Sequence, residues 1–210
     1  MSKKKSLILL FVWLSAFINS SLYALENIHE KDQIIPLGWS PDSRFACVIC
    51  GLSGNEYTET LTVIDAVTDE ILFNEIIFIS DGKDDRLVLS EKESTAVKKI
   101  DICLSRFNIT RISSINLRVF PLPLNRSVFQ PQLKLFGKDK IITGFELYMQ
   151  AGGKSKKLTR IDNLPEGVSS CCVEGYFINP NEQRLIVLVR AEGSADRYYF
   201  IGCLLTAGFH

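Results

Sequence analysis

Chemistry in this 210-residue chain has to come from six cysteines, two histidines and 24 acidic side chains. Cys47-x-x-Cys50 has the spacing of a redox dithiol. Such a pair works through a thiolate whose pKa is lowered at a helix N-terminus. Here it sits in Phe45-Ala46-Cys47-Val48-Ile49-Cys50, an apolar run in which residues three apart face opposite sides of a strand. No helix start follows, so redox catalysis is not expected. Zinc is equally unsupported: Cys171-Cys172 lacks the spacing of metal ligands, and His29 is the only histidine before the last residue. His29 lies in a polar lead-in and His210 ends the chain, so neither is placed as a general base oriented by a third group. No metal, cofactor or catalytic residue is assigned.

Two acidic groups, Asp65/Asp69 and Asp84-Asp85, fall in turn chemistry and read as solvated turn residues. A carboxylate-dependent hydrolase would need two such groups across a cleft, and that is the enzymatic alternative. Gly152-Gly153-Lys154-Ser155 imitates the end of a phosphate-binding G-x-x-x-x-G-K-S/T loop, but Tyr148 holds the place of the first glycine. Lys154, Lys156 and Lys157 then read as an exposed hairpin tip, with contact to an anionic head group or polymer as the functional alternative.

The remaining candidates are aromatic, basic and thiol side chains. Trp39 and Tyr176 stand ahead of two proline turns, where an exposed ring could stack on a sugar or grip a peptide. Arg44 and Arg184 follow the same turns and complete a candidate binding set. The architectural reading, which the sequence favours for these four, is that the rings plug the turns against the core while the arginines bond backbone carbonyls or Asp42 and Asn181. An even cysteine count in an oxidising compartment suggests disulfides. Cys171 and Cys172, in a Ser-rich stretch, are the expected disulfide formers, whereas Cys47 and Cys103 read as small buried side chains.

These residues are positioned by two similar units. Gly38-Trp39-Ser40-Pro41-Asp42-Ser43-Arg44 leads into the strand from Phe45, and Gly175-Tyr176-Phe177-Ile178-Asn179-Pro180-Asn181-Glu182-Gln183-Arg184 leads into the strand from Leu185. Thr58 to Ile64 and Ile71 to Ile79 continue the first unit as an antiparallel meander. Ser90 and Glu93 have capping-box spacing and predict a helix over about 90–107, with Val97, Ile100, Leu104 and Phe107 on its apolar stripe and Asn108 at its end. Ile115 to Phe120 is expected as a strand, Pro121 to Leu124 as an extended crossover, and Ile141 to Gln150 with Leu158 to Asp162 as a hairpin. Arg184 to Arg190 and Arg197 to Leu205 form the last pair. The fold class is therefore mainly β, an antiparallel sheet or sandwich-like domain with one amphipathic helix. A degenerate β-propeller is the alternative, since only two copies of the repeat are found.

The address is read from the N-terminus. Lys3-Lys4-Lys5 precedes an apolar run from Leu7 to Ile18, shorter than the ~20 residues of a membrane-spanning helix. Residues 1–24 are expected as a cleaved signal peptide and 25–210 as one secreted domain, periplasmic or released, with an uncleaved anchor as the alternative. Without its first 24 residues, which hold three lysines and no acid, the chain carries 21 basic and 24 acidic residues, a net charge of −3. That balance supplies no general attraction to nucleic acid.

Trp39-Ser40-Pro41-Asp42-Ser43-Arg44-Phe45-Ala46 resembles the W-S-P-D-G-R-x-x-A turn of TolB-type propeller blades, departing from it at Ser43. The chain from 36 to 205 is more similar to a bacterial family of predicted secreted proteins of unknown function. The similarity lies in Ser40 to Arg44, the Gly51–Asn55 loop, Leu61-Thr62-Val63-Ile64-Asp65 and Pro180 to Arg184. The resemblance implies an exported β-rich domain and no activity. The expected function is a non-catalytic binding module whose partner is an envelope protein or a glycan component.

Overall fold

A computed structural model describes residues 33–53, 56–80, 86–138, 141–181, 183–193 and 196–210. The expected signal peptide, His29 and Asp84-Asp85 lie outside them. Twelve strands and one helix are described: β1 Gln33–Trp39, β2 Phe45–Ser53, β3 Tyr57–Asp65, β4 Glu70–Ser80, α1 Arg86–Arg106, β5 Thr110–Arg111, β6 Leu122–Leu124, β7 Ser127–Lys138, β8 Ile141–Ala151, β9 Lys154–Ile161, β10 Ser170–Ile178, β11 Arg184–Glu192 and β12 Arg197–Leu204. They form three antiparallel sheets. The N-terminal sheet runs β4-β3-β2-β1-β5, the outer sheet β6-β7-β8-β9 and the central sheet β10-β11-β12.

Alternation of side chains gives the N-terminal and central sheets two apolar faces and the outer sheet one, and three buried clusters show how the layers stack. Cys47, Leu61 and Val63 of the N-terminal sheet pack with Ala96, Ile100, Cys103 and Leu104 of α1. The opposite face, with Trp39, Ala46, Val48 and Ile64, packs on Phe177, Ile186, Leu188 and Phe200 of the central sheet. The other face of the central sheet, with Tyr176, Leu185, Val187 and Ile201, packs on Phe145, Leu147 and Met149 of the outer sheet. The order in space is therefore helix, N-terminal sheet, central sheet, outer sheet. No cluster of described residues joins the N-terminal sheet to the outer one, so the sheets form a row and not the ring of a propeller. The mainly β, sandwich-like class with one helix holds.

Several local expectations change. The helix begins at Arg86, so Ser90 and Glu93 lie within it and are not a capping box. Its docked face centres on Ala96, Ile100 and Cys103, which leaves Val97 on the rim and about half exposed. The helix end is as expected. Asn108 takes a φ of 51°, its N–H reaches the Ser105 carbonyl, and the Ile109 N–H reaches Leu104. This is a Schellman motif with Leu104 and Ile109 as its apolar pair. Gln33, expected to end a lead-in, and Gly38-Trp39, expected in a turn, belong to one strand over Gln33–Trp39. Pro36 is tolerated there beside a bulge, because β5 covers only Gly38 and Trp39 of that flank. The stretch 115–120 is irregular apart from a two-way backbone bridge between Arg118 and Tyr176. Pro121 to Leu124 enters a hairpin through β6, closed by Asn125 and Arg126 at left-handed φ values. The loop expected over 151–157 shrinks to Gly152-Gly153, both at positive φ.

The long edge strand β4 leaves Ile71, Ile76 and Ile79 substantially exposed. Two of its carbonyls are covered by the helix: Lys92 Nζ donates to Ile79 (3.0 Å) and Lys99 Nζ to Ile76 (3.2 Å). Lysines placed this way blunt an edge that would otherwise accept another strand.

Candidate functional site

The four residues expected to bind a partner are not brought together. Trp39 is 2% and Tyr176 3% exposed, and they lie in different interiors, on opposite sides of the central sheet. Trp39 packs against Phe177 and Tyr176 against Phe120. Both rings plug the fold, and neither is free to stack on a ligand. The arginines also prove not to be equivalent. Ser40 and Asn179 each accept at the side-chain oxygen, from the N–H of Phe45 and of Arg184 respectively, and each donates its own N–H to that same residue's carbonyl. The Arg44 carbonyl accepts from Ala66 N–H, as the Gln183 carbonyl does from Leu205. Arg44 thus corresponds to Gln183, and Arg184 to Phe45. The two turns are equal in length, so matching arginine to arginine by residue type is one position out of step with the structure.

What the two turns build is a seam. Ser43 occupies the position of the glycine in the turn it resembles, with a φ of 59°, and its hydroxyl accepts from the amide of Asn179 in the other turn. Arg44 bonds Asp65, at 2.9 Å from Nε and 2.8 Å from Nη2. Asp65 also accepts from the N–H groups of Val67 and Thr68. Arg184 donates to the Ala66 carbonyl (2.8 Å), and Asp69 accepts from Gly202 N–H (2.7 Å). Asp65 and Asp69 are therefore not solvated turn residues; Asp65 is 1% exposed. Against the upward push of burial, hydrogen bonds from Val67 and Arg44 hold the Asp65 carboxyl below its ordinary range. Burial pushes Asp69 up to about 6. Opposed titration of two acids can mark an acid–base pair, but Asp65 is engaged in joining two turns of the N-terminal sheet and Asp69 in tying one of them to the central sheet. Beside the seam, Ile112, Ser114, Ile115, Asn116, Arg118, Ile178, Asn179 and Pro180 line a cavity of about 150 Å³. That is below the ~300 Å³ at which ligand pockets begin.

Cys171 and Cys172, expected in a loop, are on β10 and carry free thiols. Adjacent residues of one strand point to opposite faces, so these two thiols do not face each other. Cys171 faces the interior shared with the outer sheet, and Cys172 donates to Glu174.

The uncovered face of the outer sheet gathers the polar groups. β8 sends Phe145, Leu147 and Met149 inward, so Glu146, Tyr148 and Gln150 point out. The register sets Lys134 and Arg160 on either side of Glu146, with Gln132 beside Tyr148 and Gln130 beside Gln150. Glu146 Oε1 accepts from Lys157 (2.6 Å) and Arg160 (3.2 Å), and its Oε2 from Tyr148 (2.9 Å), with Lys134 at 3.9 Å. Arg160 also bonds Asp162 and lies over the Phe136 ring, 5.0 Å from its centre. Phe136 lies against Gly144, where a Cβ would come within 2.3 Å of the ring. Gln150 donates to Gln132 (2.7 Å), and at the hairpin end Gln130, Gln150, Lys154 and Ser155 line a groove of about 290 Å³.

No family model, curated protein or solved structure matches this chain. The function has to be read from this geometry.

The three lysines that look alike in sequence divide the work. Lys154 lines the groove and Lys157 binds Glu146. Lys156 donates to the Leu204 and Ala207 carbonyls and pins the C-terminal tail. Glu146, Lys134 and Arg160 were not singled out by spacing; alternation placed Glu146, Tyr148 and Gln150 on one face, but only the pairing of three strands makes a cluster. Glu146 is buried under its cations, and the hydrogen bonds from Lys157 and Tyr148 lower its carboxyl to about 2. The folded pKa is below the unfolded one, so the stability this group contributes is complete above about pH 4.5 and lost as pH falls toward 2. Melting temperatures measured from pH 2 to pH 6 should show that loss, and Glu146→Gln should flatten it. Among the described residues no helix is long and apolar enough to cross a membrane.

Proposed function

We propose that this chain is an exported, non-catalytic binding module of the cell envelope, and that it holds an acidic glycan on the uncovered face of the outer sheet. One observation carries the reading. Lys134, Lys157 and Arg160 converge on a single carboxylate, so the cluster keeps net positive charge on a domain whose overall balance is negative. Glu146 fixes the cations in place, which lowers the entropy lost when an anion docks on them. From there, Gln132, Gln150 and Gln130 extend a row of amide donors and acceptors into the groove by Gly152-Gly153. Charge at one end and amides along the rest suit a carboxylated polysaccharide lying across the strands. Sugar carboxylates would meet the guanidinium and ammonium groups, and hydroxyls the amides.

Affinity electrophoresis tests this. Polygalacturonate in the gel should retard the protein, and hydroxyethyl cellulose should not. Combining Lys157→Gln with Arg160→Gln should weaken the retardation at least ~10-fold, the loss expected for removing two charge-assisted contacts. Salt should weaken it as well. Equal migration of parent and variant in the acidic polymer would exclude this face and direct attention to a protein partner.

A further inference from the structure

Five of the six thiols are divided among three interiors, and two of them meet. Cys47 points from β2 into the layer beneath the helix, and Cys103 points into the same layer from α1, one turn before the helix ends. They are 0% and 2% exposed and sit in the same buried cluster, the only two thiols there among the described residues. The other thiols are separated. Cys50, three residues from Cys47, lies on the opposite face of β2, in the interior shared with the central sheet. Cys171 and Cys203 border one interior, but their partners on β11 are Ala191 and Leu185, a separation of roughly 20 Å along the strand. Cys172 is on the other side of β10, against Glu174.

We propose that under oxidising conditions Cys47 and Cys103 join in a disulfide that fastens α1 to the N-terminal sheet. The helix is the outermost layer, and small side chains, Ala96 and Cys103, occupy the middle of its contact. They allow close approach but bury little apolar area, so a covalent link there adds what packing does not. The oxidant is a disulfide-bearing small molecule or protein. One cysteine thiolate attacks it and expels one thiol; the second attacks the mixed disulfide and expels the other. Two protons leave the protein, two electrons pass to the oxidant, and one sulfur–sulfur bond forms. Burial raises both thiols above their ordinary range and bars the oxidant from them. The link therefore forms while the helix is still undocked, and docking then shields it from reductants.

The full chain is reduced, unfolded, and refolded in a mixture of oxidised and reduced glutathione. Free thiols are blocked in denaturant, and the protein is digested without reduction. A linked fragment pair containing Cys47 and Cys103 is expected, together with a melting temperature roughly 6–12 °C above that of the reduced protein. In Cys103→Ala the melting temperature should not respond to reductant, and Cys47 should be recovered blocked. Recovery of both residues as blocked thiols after oxidative refolding, as glutathione adducts, or linked to other cysteines would overturn the proposal. Mapping the parent chain decides the matter even if Cys103→Ala does not fold.

Discussion

Gly202→Ala is expected to lower stability by about 3 kcal/mol, a fall in melting temperature of roughly 6–12 °C. Gly202 is on β12, where the turn after β3 crosses the central sheet, and an added Cβ would lie 2.0 Å from the Ala66 carbonyl oxygen. The neighbour is backbone, 2% exposed, with its carbonyl already bonded to Arg184. It cannot swing aside like a side chain. The shift needed to admit a methyl group would also strain the bond from Gly202 N–H to Asp69. Gly153→Ala is the control. A Cβ there meets nothing within 4 Å, so only the positive φ of 79° opposes it, a cost of about 1 kcal/mol. Thermal or denaturant unfolding of the two variants separates close approach from backbone conformation. A Gly202→Ala protein as stable as Gly153→Ala would show that the seam yields.

Asp69→Asn should do the opposite and stabilise the protein at neutral pH. Burial raises this carboxyl to about 6 from an ordinary 3.8. Between those values the folded chain holds a proton that the unfolded chain has released, so stability falls as pH rises from about 4 to about 6 and stays lower above. After allowance for solvent screening, the penalty at pH 7 is about 1–2 kcal/mol. Asparagine keeps an oxygen for Gly202 N–H and accepts the left-handed φ of 64° at this position. The variant should melt roughly 3–6 °C higher at pH 7 and lack the decline between pH 4 and pH 6. A destabilised variant at pH 7 would mean that attraction between Asp69 and Arg184 outweighs desolvation. Together with the opposite slope set by Glu146, the parent protein should be most stable near pH 4–5.

Much of the fold was legible because its strands alternate plainly. Phe45 to Cys50, Thr58 to Ile64 and Leu185 to Val189 were read as strands and are strands. What misled was punctuation. Ser90 with Glu93 has the spacing of a cap but lies inside a helix that starts at Arg86. Trp39 and Tyr176, and Arg44 and Arg184, look matched by residue type, but the bond pattern around Ser40 and Asn179 aligns the turns position for position and sets Trp39 level with Ile178 and Phe45 level with Arg184. The polar cluster on the outer sheet was least legible. Lys134, Glu146 and Arg160 belong to three strands, and their meeting depends on a register that one strand's pattern does not contain.

The layer in the middle of the stack is the last one in the chain. Residues 122–161 complete a sheet whose inner face is bare until 170–204 are available, and the first sheet waits for the same strands. A ribosome, or a secretion pore delivering the chain from its N-terminus, therefore releases two apolar plates before the filling that both require. Loss of the final forty residues would open two interiors at once, and a chaperone that shields those plates during delivery would find its work ended by β12.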